Sequence, residues 1–282
     1  MIIVSLIQQL GNQMFQYALG KRLEVLGKDV KYDLSYFDKH PGHDLALLRV
    51  FNLSLPIATK QEVTAMWEAR SRFFYRIKKN VFGLDPLLVY EISKECYPRP
   101  FNDRTLVFKQ GILEGYWQSE KYFAPIADII RRDFTFQEPS PRNRKLAEEM
   151  AACMSVSIHV RRGDYQGSFP LLTEEYYTPA MNFFDEKYGN VHYYVFSNDL
   201  VWCRDHLKAE QITFVDWNTG KDSPYDMWLM TQCKHNIIAN STFSWWGAWL
   251  NCHEGKEVIA PRKWDFYLED HPDLYCPEWI LL

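Results

Sequence analysis

From Val156 onward, short apolar runs alternate with helical segments, and that alternation leaves few folds open to the chain. The runs cover 156–160, 192–196, 212–215, 236–239 and 257–260. Between them, 174–187, 200–207, 222–233 and 243–250 carry apolar residues at helix spacing. Strands separated by helices of this length pair in parallel, with the crossovers covering both faces of the sheet. The N-terminal half follows a looser version of the pattern. Residues 2–7 read as a buried strand, 13–26 as a helix with Phe15, Leu19, Leu23 and Leu26 on one face, and 29–33 as a second strand. Residues 59–78 read as an amphipathic helix opened by a capping box of Thr59 and Glu62. Short strands are expected at 106–108 and 112–116, and helices at 119–132 and 142–152. The stiff segment Glu138-Pro139-Ser140-Pro141 divides the chain into domains 1–140 and 141–282. The expected architecture is α/β, two Rossmann-like domains facing across a cleft.

Composition narrows the function classes. The 282 residues are 47% hydrophobic and 24% charged, as in a water-soluble globular protein. A net charge of −4 argues against a general nucleic-acid binder, so any bound anion has to be held by local arginines. Aromatics reach 16%; core packing is their default use, and sugar or base stacking a second one. The six cysteines are scattered without a Cys-x-x-Cys pair, which suits reduced thiols and argues against a zinc ribbon. The apolar stretch 1–10 has no basic leader, the first lysine being Lys21, and reads as a strand rather than a signal peptide. No apolar run approaches the ~18 residues of a membrane span. A cytoplasmic chain is expected.

Four strand-to-helix junctions carry polar groups in place of plain turns. In Gln8-Gln9-Leu10-Gly11-Asn12-Gln13-Met14-Phe15, Asn12 either caps the following helix or turns its amide to a ligand. In His159-Val160-Arg161-Arg162-Gly163-Asp164-Tyr165, two adjacent guanidinium forks suit phosphate oxygens, and the alternative is a solvated strand end paired to Asp164. In Phe196-Ser197-Asn198-Asp199, an N-cap role for Asn or Asp is the default. In Ala239-Asn240-Ser241-Thr242-Phe243-Ser244-Trp245-Trp246, a run of hydroxyls at a helix start makes an anion nest. The chain lacks Gly-x-Gly-x-x-Gly, a P-loop and Asp-x-Asp. A bound diphosphate would therefore be neutralised by arginine and helix N-termini, without a metal. His159 and Asp164 are at no zinc spacing, so no metal site is expected.

The ordered blocks Gly11–Ala18, His159–Tyr165, Phe196–Asp199, Asp226-Met227 and Asn240–Trp246 resemble those of the bacterial α-1,2-fucosyltransferases, glycosyltransferase family 11. The resemblance runs over nearly the whole chain, as far as Pro261-Arg262-Lys263-Trp264. It implies a GT-B-like fold and an inverting, metal-independent enzyme with no cofactor. That enzyme would transfer L-fucose from GDP-β-L-fucose to the 2-hydroxyl of a β-galactoside glycan. Arg161 would contact the diphosphate and stabilise the leaving charge, with Arg162 a second donor-side arginine. His159 and Asp226 would contact guanine or its immediate surroundings, although Asp226 also suits the start of a helix through the dipole. Ser241, Thr242 and Ser244 would help to hold the diphosphate, and Asn12 would stand beside the reacting fucose. Asp164 is the nominee for general base and equally a structural partner of the arginines.

The acceptor-side aromatics Tyr36, Phe37, Tyr116 and Trp117 are platforms or core. A lipid-linked acceptor would bring the chain to a membrane surface. Family members often carry glycines where this chain has Gln8 and Gln9, a departure that bears on the acceptor more than on the donor. The competing readings are a GDP-fucose enzyme acting on another hydroxyl, and a non-catalytic nucleotide-sugar or glycan binder.

Overall fold

The computed structural model describes residues 1–71, 100–266 and 271–282. The chain divides into two compact units, Met1–Thr135 and Phe136–Leu282. Each is built on a wholly parallel sheet, so the chain is mixed α/β as the alternation predicts.

In the first unit the strand order is β2-β1-β3, with β1 (Ile2–Ser5) between β2 (Val30–Asp33) and β3 (Gly111–Leu113). All four residues of β1 are buried, as a central parallel strand requires. Helix α1 (Leu10–Val25) buries Met14, Phe15, Ala18, Leu19 and Leu23. It stops at Gly27, whose φ of 77° lets Lys28 N donate to Leu23 O (3.0 Å) and Gly27 N to Glu24 O (2.9 Å), closing the last turn. Two short helices follow, α2 (Ser35–Lys39) and α3 (Ala46–Val50). Helix α4 (Lys60–Ser71) opens on the expected capping box, Thr59 N donating to Glu62 Oε2 (2.8 Å) and Glu62 N to Thr59 Oγ1 (3.2 Å). The remainder of the expected 59–78 helix lies outside the described residues.

Two expectations fail here. Residues 106–108 form a turn, because Leu106 N already donates to Asp103 O within the 3₁₀ turn Asp103–Thr105. The single helix expected at 119–132 is broken into the 3₁₀ turns Glu120–Tyr122 and Ala124–Ile126, followed by α5 (Ala127–Asp133). Pro125 has no N–H to continue a helix from Ser119, and Phe123 leaves helical conformation at φ −134°.

The second unit runs α6 (Pro141–Ala152), β4 (Met154–Val160), α7 (Glu174–Tyr188), β5 (Val191–Ser197), α8 (Leu200–His206), β6 (Gln211–Val215), α9 (Pro224–Gln232), β7 (His235–Ile237), α10 (Thr242–Leu250), β8 (Val258–Ala260) and β9 (Ile280–Leu281). Sheet order is β6-β5-β4-β7-β8-β9. Counted from β4 this is 3-2-1-4-5-6, the doubly wound order, and its direction reverses between β4 and β7. The two-residue β9 is too short to show as a run in the sequence. Val156, Ile158 and Val160 of β4 pack under Tyr177, Ala180 and Phe184 of α7. On the opposite face, Tyr194 and Phe196 of β5 pack against Met150, Leu229 and Met230. With the side-chain period of two, Ser157 and His159 then belong to the second face. Among the described residues no helix is long and apolar enough to cross a membrane.

Candidate functional site

Because the second sheet is parallel, every strand delivers its carboxyl end to one edge. Ligands of open α/β sheets sit in the crevice outside that edge, where the strand order reverses. Here the reversal lies between β4 and β7, so the loops beginning at Arg161 and Ile238 flank it. Neighbouring loops leave β5 at Asn198 and β6 at Asp216.

The β4 loop is held in one shape by Asn198. The register Val160↔Ser197 places Asn198 beside it. Asn198 Oδ1 accepts from Arg162 N (2.9 Å) and Gly163 N (3.3 Å), and its Nδ2 donates to Asp164 Oδ1 (3.0 Å). A Cβ on Gly163 would lie 3.0 Å from that amide nitrogen, so the close approach favours glycine. The N-cap of α8 is the next residue, Asp199, which accepts from Trp202 N at 3.1 Å. The default capping role therefore falls to Asp199 and leaves Asn198 free to organise the loop. Asn198 is the residue that reading the sequence missed; its signal was an amide directly after an apolar strand.

The two arginines diverge. Arg161 Nη2 donates to Asp164 Oδ2 (2.7 Å), and its guanidinium carbon lies 5.6 Å from the centre of the Tyr165 ring. Its Nε is buried with no partner among the described residues. Arg162 is engaged by the protein: Nη1 donates to Leu172 O (3.1 Å), the guanidinium lies 4.2 Å over Trp202, and Nε stands 3.5 Å from Asp199 Oδ2. Both Asp164 oxygens are occupied, one by Arg161 and one by Asn198.

Tyr165 ties this loop to the β7 loop, its hydroxyl donating to Asn240 O (3.2 Å) with the Ser241 hydroxyl beside it. Ser241 occupies the N-cap position of α10 but makes no side-chain cap bond. Thr242, partly exposed, opens the helix, whose leading N–H groups have no intrahelical acceptor. Ser244 faces inward, accepting from Ala239 N and donating to Ser241 O, each at 3.2 Å. Its hydroxyl therefore braces the loop. Asn240 Nδ2 donates to Pro170 O and Trp264 O, both at 3.0 Å, and its buried Oδ1 has no partner among the described residues.

His159, the penultimate residue of β4, lies 5.6 Å from the ring of Phe243 in the first turn of α10. Burial, followed by the Arg161 charge, pushes its pKa down to about 3, so the ring is neutral. Its Nδ1 is buried without a partner among the described residues.

Asp226 stands in the first turn of α9 on the β6 side of the same edge. It accepts from Asn218 Nδ2 (2.9 Å), and Asn218 is bonded in turn to Asn143. Among the described residues no hydrogen bond joins Asp226 to the Arg161 loop. Burial raises the carboxyl to about 7, against the Asn218 hydrogen bond. The folded state then keeps a proton that the unfolded chain, at an ordinary 3.8, releases earlier. Its stabilising effect is complete below the unfolded value and is lost as pH rises through about 7. Asp226→Asn is accordingly expected to melt higher than the parent at pH 8, with the gap closing at pH 5. A gap independent of pH in thermal melts would contradict the shift.

Asn12 lies in the first unit. The N-cap of α1 is Gln9, so Asn12 falls inside the first turn and does not cap. Its Oδ1 accepts from Gln118 Nε2 at 2.8 Å.

A doubly wound sheet with an arginine and a helix N-terminus at its switch point defines an α/β protein with its ligand crevice at that edge. The chain belongs to glycosyl transferase family 11, which its residues 105–282 match. It is 32% identical over 297 residues to the α-1,2-colitosyltransferase of Escherichia coli, covering 99% of this chain and 98% of that protein. It is 26% identical to galactoside α-(1,2)-fucosyltransferase 1 of Saimiri boliviensis boliviensis, over 96% of this chain and 71% of that one. Among solved structures, fucosyltransferase NodZ from Bradyrhizobium shares 14% identity, with 87% of this chain and 91% of that chain covered and a TM-score of 0.47. The chain is a glycosyltransferase.

Proposed function

We propose that this glycosyltransferase moves an L-fucosyl group from GDP-β-L-fucose to the 2-hydroxyl of a β-galactoside, with inversion and without a metal. The observation that carries the reading is the set of groups at the switch point of the second sheet. Arg161 has a buried Nε–H with no partner among the described residues, and the α10 N-terminus begins beside Ser241. Both offer donors to a diphosphate.

As the bond from fucose to the β-phosphate breaks, negative charge grows on the departing oxygen and the sugar becomes oxocarbenium-like. Arg161, already oriented by Asp164, would meet that charge without having to reorganise. Ser241 and the leading N–H groups of α10 would hold the other phosphate oxygens, Thr242 adding a hydroxyl. Ser244, Arg162 and Asp164 serve here as braces: Ser244 and Asp164 are bonded within their loops, and Arg162 is tied through Nη1 to Leu172 O and stacked over Trp202. Neutral His159 can offer one donor and one acceptor to guanine. Asp226, ionised, would accept from the guanine N1–H and N2 amino group. Asn12, whose Nδ2 has no bond among the described residues, would present a donor to the sugar.

The 32% identity to a colitosyltransferase favours a second reading that differs only in the donor. Colitose is fucose lacking its 3-hydroxyl, so the two donors separate the readings. GDP is expected to raise the melting temperature and UDP to leave it unchanged. The GDP affinity should weaken as pH falls through about 7, up to about tenfold per pH unit, as a proton competes with guanine for Asp226. Incubating GDP-fucose or GDP-colitose with lactose, followed by linkage analysis, tests the reaction. Equal stabilisation by UDP would overturn the guanine assignment. Product from GDP-colitose alone would replace fucose by colitose.

A further inference from the structure

Among the described residues only two without a glycine's freedom have left-handed backbones, Gln8 (φ 67°) and Trp117 (φ 44°). That region is unfavourable for any residue with a side chain, and persists only where surrounding contacts impose it. The two follow adjacent strands, β1 and β3, so both stand at the carboxyl edge of the first unit's sheet. The imposing contacts are visible. Gln13 Nε2 donates to Gln8 O (2.7 Å) and to Asp44 O (2.9 Å), locking the turn after β1. Ser119 N donates to Trp117 O (2.8 Å). The Trp117 ring lies against Gly115, where an added Cβ would meet it at 2.8 Å.

A glycine at position 8 would relax the turn and keep its backbone bond to Gln13. What glycine lacks is the side chain, and the Gln8 amide, half-exposed, makes no hydrogen bond among the described residues. A third residue points the same way. Gln118 is 7% exposed, its Nε2 donates to Asn12 Oδ1, and its buried Oε1 has no partner among the described residues. Leaving a buried acceptor unpaired is costly unless a ligand supplies the donor. The half-exposed indole of Trp117 adds a flat apolar face next to it in the chain.

We propose that Gln8, Trp117 and Gln118 form the acceptor subsite and set its specificity. The ligand class is a β-galactoside: the apolar face of the pyranose stacks on the indole, one hydroxyl donates to Gln118 Oε1, and the Gln8 amide reads a second hydroxyl. This rests on the reading of the chain as a transferase acting on a galactoside. It adds which residues select that acceptor.

The test uses the full chain with Gln8→Gly, Gln8→Asn and Gln118→Leu. Binding of lactose, N-acetyllactosamine and galactosyl-β-1,3-N-acetylgalactosamine is followed by saturation-transfer NMR without any donor. Gln8→Gly is expected to melt at the parent temperature or above, since its backbone is relaxed, yet to bind the preferred disaccharide at least tenfold more weakly. Gln8→Asn tolerates the left-handed region and keeps an amide, so it should recover part of the binding. Gln118→Leu should lose binding while GDP still raises its melting temperature. Unchanged disaccharide binding by Gln8→Gly overturns the proposal, as does failure of the parent chain to bind any of the three. Gln8-dependent binding in a chain that transfers from neither GDP-fucose nor GDP-colitose would support the subsite while overturning the donor reading.

Discussion

Arg161→Ala is expected to lower kcat for transfer about a thousandfold and to leave the chain folded. Removing one preorganised donor from a developing oxyanion typically costs about 10²–10³ in rate, and an arginine facing phosphate charge about 10³–10⁵. The position of Arg161 supports the upper part of the first range. Its side chain is only 27% exposed, and its Nε is buried without a partner among the described residues. A charge meeting that fork is thus poorly screened by water. The stability cost should be small, because the one ion pair lost is to Asp164, which is 55% exposed, and such pairs contribute under about 1 kcal/mol. Arg161→Lys retains the charge but loses the planar fork, and is expected to recover only about tenfold. Steady-state kinetics with circular dichroism on each variant decides the matter. A folded Arg161→Ala chain working within tenfold of the parent would remove Arg161 from the leaving-group role.

The second unit was legible in the sequence because its strands are apolar runs ended by polar loops, and its helices fill the intervals. The runs 156–160 and 192–196 sit inside β4 and β5, each of which extends further by one or two residues at its ends. The order of those strands was not legible, and the order is what creates the switch point. Likewise Asn198 looks like a helix cap in one dimension. Only the lateral register of β5 against β4 turns it into the brace of the Arg161 loop. In the first unit the pattern misled where a helical period ran through Pro125, because periodicity does not register a missing N–H. In the block after β1, Gln13 and Gln16 are both completely buried. Glutamine is usually exposed, so its use as an internal fastener leaves no mark on composition or spacing.

Gln16 carries the largest structural effect expected in this chain. Its Oε1 accepts from Ile7 N and its Nε2 donates to Gly115 O, each at 2.8 Å, joining the segment after β1 to the segment after β3. Ile7 and Gly115 are themselves buried, so neither group has water as a substitute. Gln16→Leu preserves much of the volume but strands one N–H and one C=O, at about 1–3 kcal/mol each. A loss of about 2–6 kcal/mol follows, which is a large share of the ~5–15 kcal/mol that stabilises a typical domain. Gln16→Glu separates the two bonds. An ionised carboxylate still accepts from Ile7 N but has nothing to donate to Gly115 O, and burial resists the charge. Protonated, it can serve both partners. The raised carboxyl pKa would make that variant most stable below the ordinary glutamate range and progressively weaker as pH rises, so its deficit should be smaller at pH 5 than at pH 8. Urea unfolding of both variants at the two pH values measures this. A loss below about 1 kcal/mol for Gln16→Leu would show that the two strand ends hold together without the amide, and the fixed placement of Asn12, on the preceding turn of the same helix, would then need another cause.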